Sequence, residues 1–188
     1  MNFKDSSVII TGSSRGIGRH IAMAFASQTK RSLILLARSE EGLAETRKLC
    51  KEAGAEKVLI VPCDLTDEQQ VTSISVPEHF PEPGILINNA GSYLYKKLAD
   101  TGSDEFMEQV QTNLFTAVYA TNRFLRNLKN VNRGLIINIC SVGSLEGLKD
   151  SGAYAASKHA LLGYSRSLRK ELLISNIAVG GQNVADRD

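Results

Sequence analysis

Short apolar runs rich in β-branched residues recur along the chain, separated by longer stretches of helical character. Ser7-Val8-Ile9-Ile10-Thr11, Leu33-Ile34-Leu35-Leu36-Ala37, Val58-Leu59-Ile60-Val61, Ile85-Leu86-Ile87 and Leu135-Ile136-Ile137-Asn138-Ile139 lack polar alternation. That is what strands covered on both faces require. Helices are predicted between them, from about Ile17 to Gln28, Glu40 to Ala53, Asp104 to Leu128 and Gly152 to Leu173. Strand–helix–strand alternation demands right-handed crossovers and hence a parallel sheet. The predicted class is α/β: a doubly wound parallel sheet in three α/β/α layers, forming a single domain over 1–179. Residues 180–188 read as an unpacked tail. The segment Val76 to Gly84 holds Pro77, Pro81 and Pro83 and reads as a loop entering the fourth strand.

Composition narrows the function classes. At 188 residues, 43% hydrophobic and 22% charged, the chain is an ordinary globular domain and neither disordered nor low-complexity. Lys and Arg number 22 against 20 Asp and Glu, a net charge of +2, so no nucleic-acid or other general polyanion binding is expected. Cys50, Cys63 and Cys140 are odd in number and show no paired spacing, and Met1 to Asp5 shows no secretory signal pattern. A reduced, cytoplasmic setting is expected. No apolar run approaches the ~20 residues of a membrane span. His20, His79 and His159 are scattered without ligand spacing, so no metal site is expected.

The first strand runs directly into Thr11-Gly12-Ser13-Ser14-Arg15-Gly16-Ile17-Gly18 and then a helix. Glycines 12, 16 and 18 allow a sharp turn, close approach of a ligand, and tight packing of helix on strand. The free N–H groups at the helix start favour an anion. An acidic residue ending the second strand usually holds a ribose 2′-hydroxyl in dinucleotide folds. Here that strand ends Leu36-Ala37-Arg38-Ser39, without a carboxylate. Arg38 and Arg15 together suit a phosphate dianion, which points to NADP(H) over NAD(H). The bland reading is a pair of solvated surface arginines.

Tyr154-Ala155-Ala156-Ser157-Lys158 sets a phenol and an ammonium one helical turn apart, on one face. A tyrosine is a poor base at neutral pH, and a nearby cation stabilises its phenolate. The spacing is common, and Tyr93 to Lys97 repeats it. Context separates the two. Tyr154 follows a strand ending at Cys140-Ser141 and opens a long helix among small residues, whereas Tyr93 reads as a loop aromatic near the site mouth.

These features together resemble the short-chain dehydrogenase/reductase family, in its NADP(H)-preferring type. Thr11-Gly12 to Gly18 is similar to that family's TGxxxGxG loop, Asp64-Leu65 to its adenine-contacting pair, and Asn88-Asn89-Ala90-Gly91 to its NNAG element. Asn113, Ser141, Tyr154 and Lys158 match its catalytic tetrad in chain order, and the match extends from about Val8 to Leu173. The resemblance implies a Rossmann-like fold and an NADPH-dependent carbonyl reductase or alcohol dehydrogenase. It implies Tyr154 as general acid or base, Lys158 as its cationic partner and holder of the nicotinamide ribose, and Ser141 bonded to the substrate oxygen. Asn113 would position a water for proton supply. Gly12, Ser14, Arg15, Gly16, Ile17, Gly18, Arg38, Asp64, Leu65, Asn89, Ala90 and Gly91 would bind the cofactor, and Asn88 would brace neighbouring strands. Tyr93 is a candidate substrate contact. A homodimer or homotetramer and a small carbonyl or alcohol substrate are likewise implied.

The family continues past the catalytic helix into a sixth strand, a Pro-Gly turn at the nicotinamide, a substrate-covering loop and a seventh strand. Here Asn176 to Val179 can begin the sixth strand, Gly180-Gly181-Gln182 stands in place of the turn, and no proline follows Pro83. The intact catalytic set favours omission of residues over a naturally short form. The competing function is a catalytically idle NADP(H)-binding or scaffold protein of the same fold.

Overall fold

The computed structural model describes residues 6–131, 133–173 and 175–182. Six parallel strands form one sheet in the order β3-β2-β1-β4-β5-β6. They are β1 (Ser7–Thr11), β2 (Leu33–Ala37), β3 (Val58–Pro62), β4 (Pro83–Asn88), β5 (Gly134–Ile139) and β6 (Ile177–Gln182). The helices are α1 (Gly16–Thr29), α2 (Glu40–Glu52), α3 (Glu68–Ser73), α4 (Ser103–Val110), α5 (Thr116–Asn130) and α6 (Gly152–Glu171). Chain order reverses between β1 and β4, which pair through Val8 with Ile85, Ile9 with Leu86 and Ile10 with Ile87. Crossovers diverge there, and a crevice opens at the carboxyl ends of the two strands.

Alternate side chains of the inner strands feed two cores. Ile9, Ile34, Leu86 and Ile136 pack with Phe124 and Leu128 of α5 and Leu168 of α6 on one face. Val8, Ile10, Leu33, Leu35, Ile85 and Ile87 pack with Ala22 and Ala26 of α1 and Leu43 of α2 on the other. The α1/α2 cover does not extend fully over β5, where Leu135, Ile137 and Ile139 are only half-buried.

The expected doubly wound sheet is present, and four local features differ from expectation. The helix expected from Asp104 to Leu128 is three elements, because the chain winds as a π turn over Gln111–Phe115 between α4 and α5. Helix α3 was not expected; it is six residues long, and Asp67 caps it by accepting from the N–H groups of Gln69 and Gln70. Pro83 and Gly84, assigned to a loop, open β4, where proline is tolerated as the first residue of a strand. Gly180, Gly181 and Gln182, assigned to the tail, continue β6 in parallel register with Ile137, Asn138 and Ile139. Residues 183–188 of the expected tail lie outside the described residues.

Candidate active site

The turn after β1 is shaped by its glycines. Gly12 and Gly16 have φ of 65° and 56°, a region that disfavours side chains. Gly18 serves a different need, since a Cβ there would lie 2.3 Å from the Gly12 carbonyl oxygen. The turn is tied down by Gly12 N–H donating to Leu36 O (2.8 Å) and by Asn89 Nδ2 donating to Thr11 O (3.0 Å) and Gly12 O (3.2 Å). Thr11 Oγ1 accepts from the backbone N–H of Asn89 (2.9 Å) and Ala90 (3.0 Å). One hydroxyl on β1 thus fixes the segment after β4 across the switch point, and Thr11 was not singled out in the sequence.

A cavity of about 780 Å³ lies along this crevice. Gly12, Ser14, Arg15, Gly16, Ile17, Arg38, Asp64, Leu65, Asn89, Ala90 and Gly91 all line it. Gly18 does not, being packed behind the turn. Arg15 and Arg38 are both exposed in the cavity wall, and among the described residues neither guanidinium has a hydrogen-bond or ion-pair partner. Asp64 is set by an Asx turn, its Oδ1 accepting from Thr66 N–H (2.9 Å) and Oγ1 (2.8 Å). Gln111 of the π turn donates to Thr66 O (2.9 Å), so one short segment steadies this loop while also carrying Asn113.

Ser141, Tyr154 and Lys158 are not in the cavity wall; they stand beyond its Gly91 end, on the β5–α6 side. A Cβ on Gly91 would meet Asn113 Oδ1 at 2.6 Å and Lys158 Nζ at 3.7 Å, so this glycine is where cavity and polar cluster join. Asn113 is 1% exposed; its Nδ2 donates to Ser92 O (3.0 Å) and Ser157 Oγ (3.1 Å), and its Oδ1 accepts from Ser92 N–H (3.0 Å). Lys158, one turn past Tyr154, donates from Nζ to Ile139 O (3.0 Å) and lies 6.0 Å from the centre of the Tyr154 ring. Burial lowers its pKa, and the neighbouring Cys140 opposes that shift. Cys140 itself is buried, and its thiol is pushed up by desolvation against the pull of Lys158. Ser141 Oγ accepts from Gly143 N–H (3.2 Å), and a Cβ on Gly143 would sit 3.4 Å from Tyr154 Cε1, so the serine's turn packs against the tyrosine ring.

Tyr93 also reaches this place. Its ring meets Tyr154 edge-on, centroids 4.7 Å apart, and its hydroxyl bonds Ser151 Oγ at 2.7 Å. Asn88 Nδ2 donates to Asn138 Oδ1 (2.8 Å) and Thr121 Oγ1 (3.1 Å), bracing β4 against β5. His159 faces Ala155 O on its own helix, and among the described residues no group of three or more metal-type side chains exists. No described helix is long and apolar enough to cross a membrane.

A parallel sheet wound in both directions, with a glycine turn at its switch point, defines a Rossmann-type nucleotide-fold protein. The chain belongs to the short chain dehydrogenase family, whose sequence profile matches residues 6–184. A ketoacyl reductase of Nostoc sp. is 30% identical over 174 residues, covering 92% of this chain and 60% of the relative. Among solved structures, an actinorhodin polyketide ketoreductase with NADPH superposes with a TM-score of 0.86 at 30% identity, covering 96% of this chain and 70% of that one. An NAD+-bound xylitol dehydrogenase gives 0.89 at 26% identity, over 96% and 70%. The chain spans from 51% to 77% of the length of such curated relatives.

Proposed function

We propose that the protein is an NADPH-dependent oxidoreductase that interconverts a ketone or aldehyde and the corresponding alcohol, with Tyr154 as the general acid and base. The observation that carries the reading is the meeting at Gly91 of a dinucleotide-sized cavity with a buried polar cluster drawn from four separate segments. The ketoreductase relatives support a carbonyl substrate, and solved relatives carry either NADPH or NAD+. The choice between those cofactors rests on this chain's own residues.

The site suits such a cofactor. A volume of about 780 Å³ falls in the range of ligand pockets, and the glycine turn leaves room where side chains would intrude. Gly12 to Ile17 would hold the diphosphate, and Asp64 and Leu65 would bound the adenine. Arg15 and Arg38, unpaired, would take a 2′-phosphate. When bound, the cofactor supplies the hydride for the carbonyl carbon.

The protein's residues do the remainder. Tyr154 donates the proton that the carbonyl oxygen needs. Ser141, fixed by its turn, donates a hydrogen bond to that same oxygen and stabilises the charge developing there. Lys158, a buried cation, favours the phenolate left on Tyr154. The side chain of Asn113 is engaged by Ser92 and Ser157, so its part is to order the surroundings of Lys158 and not to hold a water through its own amide.

Loss of NADPH absorbance with a panel of ketones and aldehydes tests the activity. An idle binding protein would instead be stabilised thermally by NADPH without carbonyl-dependent oxidation. Cofactor choice has its own test. Arg38→Asp places a carboxylate where a ribose hydroxyl could bond it and a phosphate would be repelled. The NADPH-to-NADH ratio of kcat/KM should fall by about 10- to 100-fold, the size of one or two lost charge-assisted hydrogen bonds. An unchanged ratio would show that Arg38 does not read the 2′-phosphate.

A further inference from the structure

The two arginines assigned to a 2′-phosphate stand on different elements, Arg15 at the start of α1 and Arg38 just before α2. Their separation depends on how α2 is seated against the glycine turn. Three residues outside the binding set govern that seat. Gly42, in the first turn of α2, has no room for a side chain: a Cβ would lie 2.9 Å from both Ser14 Cβ and Ser14 O. One turn further on, Thr46 is fully buried, and its Oγ1 lies 2.9 Å from both Ser13 O and Gly42 O. From α1, Arg19 Nε donates to that same Oγ1 (3.0 Å), while its Nη2 reaches Ser14 O (2.5 Å) and Glu45 Oε2 (2.7 Å).

Arg19 itself borders the cavity, but its fork is engaged by protein acceptors. Its ion pair with Glu45 also engages a carboxylate that borders the cavity. We infer that Arg19 and Thr46 form a latch between α2 and the phosphate turn, and that this latch sets the Arg15–Arg38 spacing and so selects a 2′-phosphorylated adenosine. The inference rests on the NADP(H) reading above. Both are positioning residues. The turn that takes the 5′-phosphate has further ties of its own, Gly12 being held by Leu36 and Asn89, so loss of the latch weighs less on that phosphate than on the 2′-phosphate.

Thr46→Val is the decisive variant, since a buried side chain outside the cavity wall cannot touch the ligand. Calorimetric titration with 2′,5′-ADP and with 5′-AMP, which differ only in the 2′-phosphate, gives the readout. Thr46→Val removes a hydroxyl that links two backbone carbonyls and a guanidinium. Its Kd for 2′,5′-ADP should rise by about tenfold, as for a buried polar link left unsatisfied, with a change of less than about twofold for 5′-AMP. Thr46→Ser should restore the parent values. Arg19→Lys keeps the charge but loses the fork, and should reproduce the selective loss; it also decides the matter if the valine variant fails to fold. Parent-like binding by these variants, or equal loss of both nucleotides, overturns the latch. If Arg38→Asp abolishes discrimination while Thr46→Val and Arg19→Lys do not, the latch alone falls. If the parent protein binds the two nucleotides equally, the 2′-phosphate reading falls and the latch with it.

Discussion

Replacing Tyr154 with phenylalanine is expected to lower carbonyl-dependent NADPH oxidation by about a hundredfold to ten-thousandfold, the usual contribution of a positioned general acid. Loss of its proton leaves the carbonyl oxygen to develop charge against Ser141 alone. The fold should not notice. The phenolic hydroxyl has no hydrogen-bond partner among the described residues, and the ring contacts with Tyr93 and the Gly143 turn survive in phenylalanine. The melting temperature and its increase on adding NADPH should therefore match the parent. Kinetics at saturating NADPH and thermal melts with and without it separate chemistry from binding. Undiminished turnover in the variant would remove Tyr154 from the reaction and, with it, the basis of the proposed mechanism.

The strands were legible because burial on both faces leaves little choice of residue. In Leu33-Ile34-Leu35-Leu36 every side chain is inaccessible, whereas the apolar run of the edge strand β3 and alternate residues of β5 are half-buried, short of the two-sided cover expected of them. The glycine turn was legible for a related reason, since Gly12, Gly16 and Gly18 each answer a backbone constraint that other residues violate. What stayed hidden is tertiary. No local signal in Gln111-Thr112-Asn113-Leu114-Phe115 announces a π turn; it goes with Asn113 bonding to Ser92 and Ser157, residues brought near only by folding. Likewise α3 begins in a polar stretch, and only the Asp67 side chain bonded to the Gln69 and Gln70 N–H groups marks its start. The aromatic at 93 was legible as a loop residue, but not its edge-on seat against Tyr154 or its bond to Ser151. Arg19 and Thr46 read as ordinary helix residues until α1 and α2 are packed side by side.

Lys158→Met should abolish turnover and, in the absence of nucleotide, stabilise the protein. Lys158 is 6% exposed, with one backbone acceptor at Ile139 and, among the described residues, no carboxylate ion-paired with it. Burial lowers its pKa, so the unfolded chain binds the proton more readily than the folded one. The sign follows: below the depressed folded value both states are charged and the folded state bears the full desolvation penalty. The penalty lessens as pH rises through that value and is gone above the unfolded value of about 10.4. Methionine keeps the stem and removes the charge, leaving only the Ile139 carbonyl short of a donor. The effective desolvation penalty of one buried ion is of the order of several kcal/mol, offset in part here by the bond to Ile139 O, and each kcal/mol corresponds to roughly 2–4 °C in a chain of this size. Thermal melts of both proteins at pH 7 and pH 10 should thus show a gap of several degrees that narrows at the higher pH. On the proposed mechanism the cost of this buried cation is offset by its use beside a phenol that releases and recovers a proton. A variant that melts lower than the parent at both pH values would show that Lys158 is a structural tie to β5, and retained turnover would show that the phenolate needs no cation.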